Sequence, residues 1–281
     1  MLTFRTIQET KAEIEKIRKK GKSIGFVPTM GALHQGHISL QQKSVSENDY
    51  TVCSIFVNPI QFNNPDDLKK YPRTEEKDLK LLEAAGCNLV FMPPVQEMYP
   101  EKISKTYDFG QLDKVMEGEF RPGHFNGVAI VVKKLFDIVE PNKAYFGEKD
   151  FQQLAIIKAL VIIENLPVEI IPCPTLREPS GLAMSSRNER LSPQDRETAS
   201  VIYKTMRKAR EMVHEYSPTE LEKWAISQID AAPGMRTEYF SLVDSETLTP
   251  VKEWKPGQNV NACLAAYIGG VRLIDNMLIF S

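Results

Sequence analysis

Cysteine is scarce in this chain of 281 residues: there are four, Cys53, Cys87, Cys173 and Cys263, and no two of them form a C-x-x-C pair. That excludes a zinc ribbon or a dithiol redox motif and points to reduced, mostly buried thiols in a cytoplasmic protein. Histidine is equally rare, with four in all, and His124 and His214 stand too far in sequence from His34 and His37 to suggest the three or four ligands of a zinc site. A basic surplus is also missing. With 35 Lys and Arg against 37 Asp and Glu, the net charge of −2 argues against a grip on long nucleic acid through phosphate neutralisation. No apolar run reaches the roughly 20 residues of a membrane span. The most apolar stretch, 154–163, is broken by Lys158, and nine charges among the first twenty residues leave no apolar core for a secretory signal. Repeats and low-complexity tracts are absent. What remains, 42% hydrophobic and 26% charged, is an ordinary globular composition suited to small-molecule partners.

The first two thirds alternate β-rich runs with helical patterns. Strands are expected at 23–27, 51–57, 88–92, 143–146 and 168–171, and helices at 11–20, 74–85, 128–139 and 150–165, with Gly86 closing the second helix. This order reads as an α/β fold, a Rossmann-like parallel sheet flanked by helices. Ligands in such folds lie at the C-terminal strand ends, so the segments 29–37, 58–61 and 147–150, each following a strand, should meet at one edge. Composition shifts near Pro172-Cys173-Pro174, which suggests a first domain over 1–175 and a smaller α+β C-terminal domain over 176–281. In the latter, Ser192-Pro193-Gln194-Asp195 and Ser217-Pro218-Thr219-Glu220 each combine a serine cap, a first-turn proline and an acid at the third position, predicting helix starts at Pro193 and Pro218. Strands follow at 239–243, 260–268 and 271–274, with Gly269-Gly270 as a hairpin turn.

Two of the histidines fall in one run, Pro28-Thr29-Met30-Gly31-Ala32-Leu33-His34-Gln35-Gly36-His37, directly after the first expected strand. A strand, a glycine-bearing turn and a helix start place two imidazoles beside backbone N–H groups and the positive end of a helix dipole. Phosphate groups bind well there. Gly36 costs a helix about 1 kcal/mol relative to alanine, so close approach of a base or ribose to the backbone is expected.

Four further segments carry polar residues where strand ends or loops should be: Phe56-Val57-Asn58-Pro59-Ile60-Gln61-Phe62, Arg121-Pro122-Gly123-His124-Phe125, Phe146-Gly147-Glu148-Lys149-Asp150-Phe151-Gln152-Gln153, and the stretch from Arg177 to Asn188 containing Met184-Ser185-Ser186-Arg187. Together with P-T-M-G-A-L-H-x-G-H, five motifs in this order resemble the pantothenate synthetase (pantoate–β-alanine ligase) family, within the H-x-G-H nucleotidyltransferase superfamily. The resemblance implies an ATP-dependent ligase that converts (R)-pantoate to pantoyl adenylate with release of pyrophosphate. Attack by β-alanine then gives pantothenate and AMP.

Carried over residue by residue, the resemblance implies ATP contacts from Met30, Gly31, Ala32, Leu33, His34, Gln35, Gly36 and His37, with His34 and His37 on the phosphates and His37 the proton or hydrogen-bond donor to leaving pyrophosphate. Gly147, Glu148, Lys149 and Asp150 extend the nucleotide site, Lys149 serving the transferring phosphate and Asp150 the ribose. Leu176 meets adenine through its backbone. Met184, Ser185, Ser186 and Arg187 match the mobile K-M-S-K-S loop of class I tRNA synthetases. The lysines are missing, so Arg187 and two hydroxyls take the phosphate work. Gln61 is implied to contact pantoate and β-alanine, and Gln153 pantoate, since an amide offers donors and an acceptor without added charge. Gln152 reads as exposed polar filler, and Val131 and Val132 as core or dimer contact. Closure of the smaller domain over the site is expected to exclude water from the adenylate. Magnesium is expected with ATP, its protein ligands unknown; Glu75, Glu76 and Asp78 read as a solvated helix start before an outer shell. A homodimer is a family expectation.

The alternative is a nucleotidylyltransferase of the phosphopantetheine adenylyltransferase type, which shares H-x-G-H but lacks the G-E-K-D-x-x-Q segment and a domain carrying M-S-S-R. A tRNA synthetase would need a larger, more basic C-terminal part. A non-enzymatic nucleotide sensor would bind ATP and release no pyrophosphate.

Overall fold

The computed structural model describes residues 1–281. Nine strands and eleven helices follow in chain order: β1 (Leu2–Phe4), α1 (Ile7–Lys19), β2 (Ile24–Thr29), α2 (Gln35–Glu47), β3 (Tyr50–Ile55), α3 (Pro65–Lys70), α4 (Glu75–Ala84), β4 (Leu89–Phe91), α5 (Val95–Met98), α6 (Glu117–Phe120), α7 (His124–Val139), β5 (Lys143–Gly147), α8 (Phe151–Ile163), β6 (Glu169–Cys173), α9 (Pro193–Thr198), α10 (Val201–Glu211), α11 (Pro218–Asp230), β7 (Arg236–Asp244), β8 (Val260–Ile268) and β9 (Val271–Phe280). Two compact units result, one of Met1–Phe109, Arg121–Glu148 and Gln153–Pro174, the other of Gly110–Phe120, Lys149–Gln152 and Thr175–Ser281.

The first unit holds a six-stranded, wholly parallel sheet in the order β1-β4-β3-β2-β5-β6. Its strands are buried on both faces, which is why β2, β3 and β4 read as near-continuous apolar runs. Alternation along the pleat still sorts the faces. Val27 and Tyr145 join the cluster containing Leu33, Leu82 and Cys53, while their neighbours Phe26 and Phe146 both pack edge-on against Phe136 of α7. The strand order reverses between β2 and β5, the switch point where α/β folds open a crevice. Pairing of β2 with β5 is confined to Gly25 and Phe26, so the strands part over 27–29, where Pro28 has no N–H to offer. The ends of β3, β2 and β5 are thus neighbours, as the strand-end positions of their motifs predict. β1 escaped the sequence reading because three residues are too few to show a period.

The helix expectations hold with adjusted starts. α1 begins at Ile7, four residues ahead of the predicted start, with Thr6 as its cap accepting from Glu9 N, and α7 begins at His124 after Gly123 rather than at Val128. All four cysteines are unpaired and buried, and burial pushes the Cys87 and Cys173 thiols up to about 11, so they stay protonated and unreactive.

In the second unit an antiparallel sheet, β7-β8-β9, is covered by α10 and α11. Ile202, Met206 and Ala209 of α10 and Leu221, Ala225 and Ile229 of α11 recur at helical spacing and are buried with Leu242, Ala262 and Leu264. The helix starts at Pro193 and Pro218 stand as predicted: Ser192 accepts from Asp195 N, and Ser217 and Glu220 form a reciprocal capping box. Gly269 and Gly270 both take positive φ in the β8–β9 turn, as a two-residue hairpin requires. Gln152 is a correction. It is buried, donates to the carbonyls of Leu112 and Val115 and accepts from Glu117 N, so it anchors 110–120 rather than filling surface.

Gly127 fixes how closely α7 approaches the Pro59–Gln61 turn after β3. A Cβ there would stand 2.5 Å from the Ile60 carbonyl oxygen and 2.8 Å from Gln61 Cα, both backbone atoms that cannot swing aside. Alanine in a helix ordinarily gains about 1 kcal/mol over glycine, but overpacking costs roughly 1–3 kcal/mol. Gly127→Ala is therefore expected to lower the urea midpoint of the protein; an equal or higher midpoint would contradict this contact.

Candidate active site

The H-x-G-H run forms a turn between β2 and α2 whose backbone donors are largely spoken for. The Thr29 hydroxyl donates to Ser54 O at 2.7 Å, tying the end of β2 to β3, and accepts from Gly31 N at 3.2 Å. Gly31 and Ala32 both adopt positive φ, +81° and +50°, and for alanine that conformation costs roughly 1–2 kcal/mol. Asp78 holds it there. Its two carboxylate oxygens accept from Ala32 N at 2.9 Å and Leu33 N at 2.8 Å, and Thr74 Oγ1 donates to it at 3.1 Å. α4 can reach this turn because Leu82, one helical turn beyond Asp78 on the same face, is buried in the same cluster as Leu33.

The two histidines cap α2 reciprocally. His34 Nδ1 accepts from Gly36 N at 3.1 Å, His37 Nδ1 accepts from His34 N at 3.3 Å, and the rings lie 4.0 Å apart. An acceptor Nδ1 leaves the proton of a neutral imidazole on Nε2. The sequence reading expected unpaired N–H groups at this helix start. Instead, Gly36 N and His37 N bond within the turn, the latter to His34 O at 2.9 Å, so anion-binding capacity shifts toward the imidazoles.

Gln61 ends the 3-10 turn Pro59–Gln61 and is buried. Its Oε1 accepts from Asn58 Nδ2 at 3.0 Å, its Nε2 lies 3.1 Å from Met30 Sδ, and its carbonyl accepts from His124 Nδ1 at 2.7 Å. The amide predicted for the acid substrate thereby touches the first residue of the predicted nucleotide segment. Gly147 ends β5 with nothing within 4 Å of where a Cβ would stand, room that a ligand backbone approach needs, and Glu148 begins the next 3-10 turn. Gln153 is half-buried in the first turn of α8, and Val131 and Val132 are buried in α7, as core residues should be.

In the second unit, Lys149 Nζ lies 3.4 Å from Asp150 Oδ1, and the Lys149 carbonyl accepts from Asn276 Nδ2 at 3.0 Å. A short hairpin, closed by a bridge between Arg177 and Ala183 and by Met184 N donating to Leu176 O at 3.0 Å, leads into Ser185, which caps the 3-10 turn Ser186–Arg190 that holds Ser186 and Arg187. Arg187 N donates to Ser185 Oγ at 3.3 Å. Buried Asn188 and Arg196 both donate to Glu178; burial raises that carboxyl, but these bonds hold it below its ordinary range. Arg177 grips Asp275 through two bonds of 2.6 and 3.0 Å.

Asp78 is the clamp of this turn that the sequence reading took for a solvated acid. Glu75 and Glu76 are a solvated helix start as expected, but Asp78 is 1% exposed. The available signal was the i, i+4 pair Asp78/Leu82, which puts an acid on the buried stripe of α4. Asp78→Asn retains one acceptor but turns an N–H₂ toward a backbone N–H, a change worth roughly 1–3 kcal/mol. The expected result is a lower melting midpoint and a raised KM for ATP in steady-state assays; parental values for both would remove the clamp from the account.

The pantoate-beta-alanine ligase family profile matches residues 2–278. A pantothenate synthetase from Azobacteroides pseudotrichonymphae is 53% identical over 278 residues, covering 99% of each chain. Among solved structures, pantothenate synthetase from Thermus thermophilus superposes with a TM-score of 0.92 at 41% identity over 100% of both chains. The pantoate-beta-alanine ligase from Francisella tularensis, complexed with beta-gamma ATP and beta-alanine, matches with a TM-score of 0.81 at 38% identity over 99% of this chain and 97% of that one. Matched along nearly its whole length in sequence and fold, the chain belongs to the pantoate–β-alanine ligase (pantothenate synthetase) family.

Proposed function

We propose that the chain joins (R)-pantoate to β-alanine through pantoyl adenylate, with ATP as the activating substrate. In the first step a pantoate carboxylate oxygen bonds to the α-phosphorus of ATP while the bond to pyrophosphate breaks. In the second, the β-alanine nitrogen attacks the carbonyl, AMP leaves with the anhydride oxygen, and the nitrogen loses a proton. The observation that carries this reading is the reciprocal histidine cap, which fixes two imidazoles with Nε2–H donors on a turn already rigid. Donors set in place before charge develops are the kind that stabilise a leaving pyrophosphate. His37 is the donor to that group, with His34 beside it on the phosphates. Lys149 and Arg187 supply the remaining positive charge. Met30 to His37, Gly147 to Asp150, Leu176 and Met184 to Arg187 contact the nucleotide, and Asp150 takes the ribose. Gln61 serves pantoate and β-alanine, and Gln153 pantoate. The ligands named for the Francisella tularensis protein support ATP and β-alanine as substrates.

Magnesium enters with the ATP phosphates as part of the substrate. No three His, Cys, Asp or Glu side chains cluster to hold an ion, and both Asp78 oxygens already accept protein donors. The adenylyltransferase alternative is not favoured, since the family match spans the G-E-K-D-x-x-Q and M-S-S-R segments as well as H-x-G-H. Four buried, unpaired thiols support a cytoplasmic location, and the 79% and 52% exposed Ile162 and Ile163 at the end of α8 support a homodimer.

Pyrophosphate release should require ATP and pantoate together and proceed without β-alanine; release with phosphopantetheine in place of pantoate would favour the alternative. His37→Ala should slow single-turnover adenylation by about a hundredfold or more, with substrate binding changed less. Equal rates for variant and parent would take His37 out of the chemistry. Gln61→Ala should weaken pantoate binding by calorimetry while leaving ATP binding intact, and the opposite pattern would reassign Gln61.

A further inference from the structure

The contacts of Gln61 decide which way round its amide stands. Asn58, 1% exposed, donates from Nδ2 to the Gly127 carbonyl at 3.0 Å and to Gln61 Oε1 at 3.0 Å, and its Oδ1 accepts from the Tyr99 hydroxyl at 2.8 Å. A backbone carbonyl can only accept, so the Asn58 nitrogen must face Gly127 and its oxygen must face Tyr99. That leaves the second Asn58 N–H for Gln61, which can meet it only with Oε1. The remaining polar atom, Nε2, faces the Met30 sulfur, a weak acceptor that a carboxylate or hydroxyl oxygen readily displaces.

We propose that Tyr99 is a positioning residue of the acid site: together with the Gly127 carbonyl, its hydroxyl tethers Asn58 in the orientation that leaves Gln61 a donor-only contact, selecting substrate oxygens that accept. This rests on the assignment of Gln61 to the acid substrate. The sequence reading credited Gln61 with both donors and an acceptor, whereas the acceptor is consumed within the protein. A carboxylate or hydroxyl oxygen satisfies Nε2, and an ammonium group does not. For β-alanine the consequence is directional: Gln61 can take its carboxylate and cannot take its ammonium form. Burial raises the Tyr99 phenol well above its ordinary range, so it remains a donor at any working pH. Its ring is independently seated, edge-on to Phe56 at 5.9 Å, which makes Tyr99→Phe a clean removal of one hydroxyl.

The test is a double-mutant cycle with Tyr99→Phe, Gln61→Ala and both together, reading KM for pantoate and for ATP, with melting midpoints recorded for each. Tyr99→Phe is expected to raise the pantoate KM roughly five- to tenfold, the scale of one lost hydrogen bond, with the ATP KM unchanged. Because it acts through Gln61, it should add no further rise in the Gln61→Ala background. Asn58→Asp is the second variant: a carboxylate cannot donate to Oε1, so the same pantoate-selective defect is expected without any change at Tyr99. An unchanged pantoate KM in Tyr99→Phe, or a rise of equal size with and without Gln61, would overturn the positioning role while leaving Gln61 on the acid. An unchanged pantoate KM in Gln61→Ala would overturn the assignment of Gln61 and the proposal with it.

Discussion

The site in the first unit depends on one buried carboxylate. Asp78 accepts from two successive backbone N–H groups, Ala32 and Leu33, and so holds a left-handed alanine that the turn would otherwise relax. From that clamp the rest follows in chain order. Leu33 is anchored in the core, His34 falls at the N-cap, and His37 arrives one turn later, where each ring can cap the other's backbone. The same helix that buries Leu82 supplies Asp78, so packing of α4 and geometry of the turn are one event.

A common logic joins the turn to the amide of Gln61. In both places protein groups use up the acceptors: His34 Nδ1 and His37 Nδ1 take backbone N–H groups, and Gln61 Oε1 takes Asn58. On the proposed roles of these residues, the groups that turn to substrate are donors, which suits phosphates, carboxylates and hydroxyls. Preorganisation of this kind is most effective where charge appears only in the transition state, because the donors need not reorient when it does. In the second unit, Glu178, Asn188, Arg196 and the Arg177–Asp275 pair brace the 177–183 hairpin and the 3-10 turn that carries Arg187.

Much of this was legible in the sequence because the signals were local. A strand followed by a glycine turn and H-x-G-H announces its own geometry, serine-proline starts fixed α9 and α11, and a Gly-Gly pair fixed the β8–β9 hairpin. The missed side-chain roles were long-range. Asp78 lies more than forty positions from the N–H groups it holds, and Gln152 finds its partners in a segment some forty residues upstream. A polar residue in a charged stretch looks solvated until the fold delivers its partner. β1 was lost for a different reason, since three residues paired at a sheet edge carry no period to detect.

A clamped turn in which both histidines accept at Nδ1 and keep their proton on Nε2 is open to direct measurement. With only four histidines in the chain, imidazole nitrogen NMR on labelled protein, assigned by single substitutions and recorded where the rings are neutral, reports the tautomer of each. The expected spectra show unprotonated Nδ1 and protonated Nε2 for both His34 and His37, lost together in Asp78→Asn. An Nδ1–H tautomer at either ring, or parental spectra after Asp78 is replaced, would contradict it.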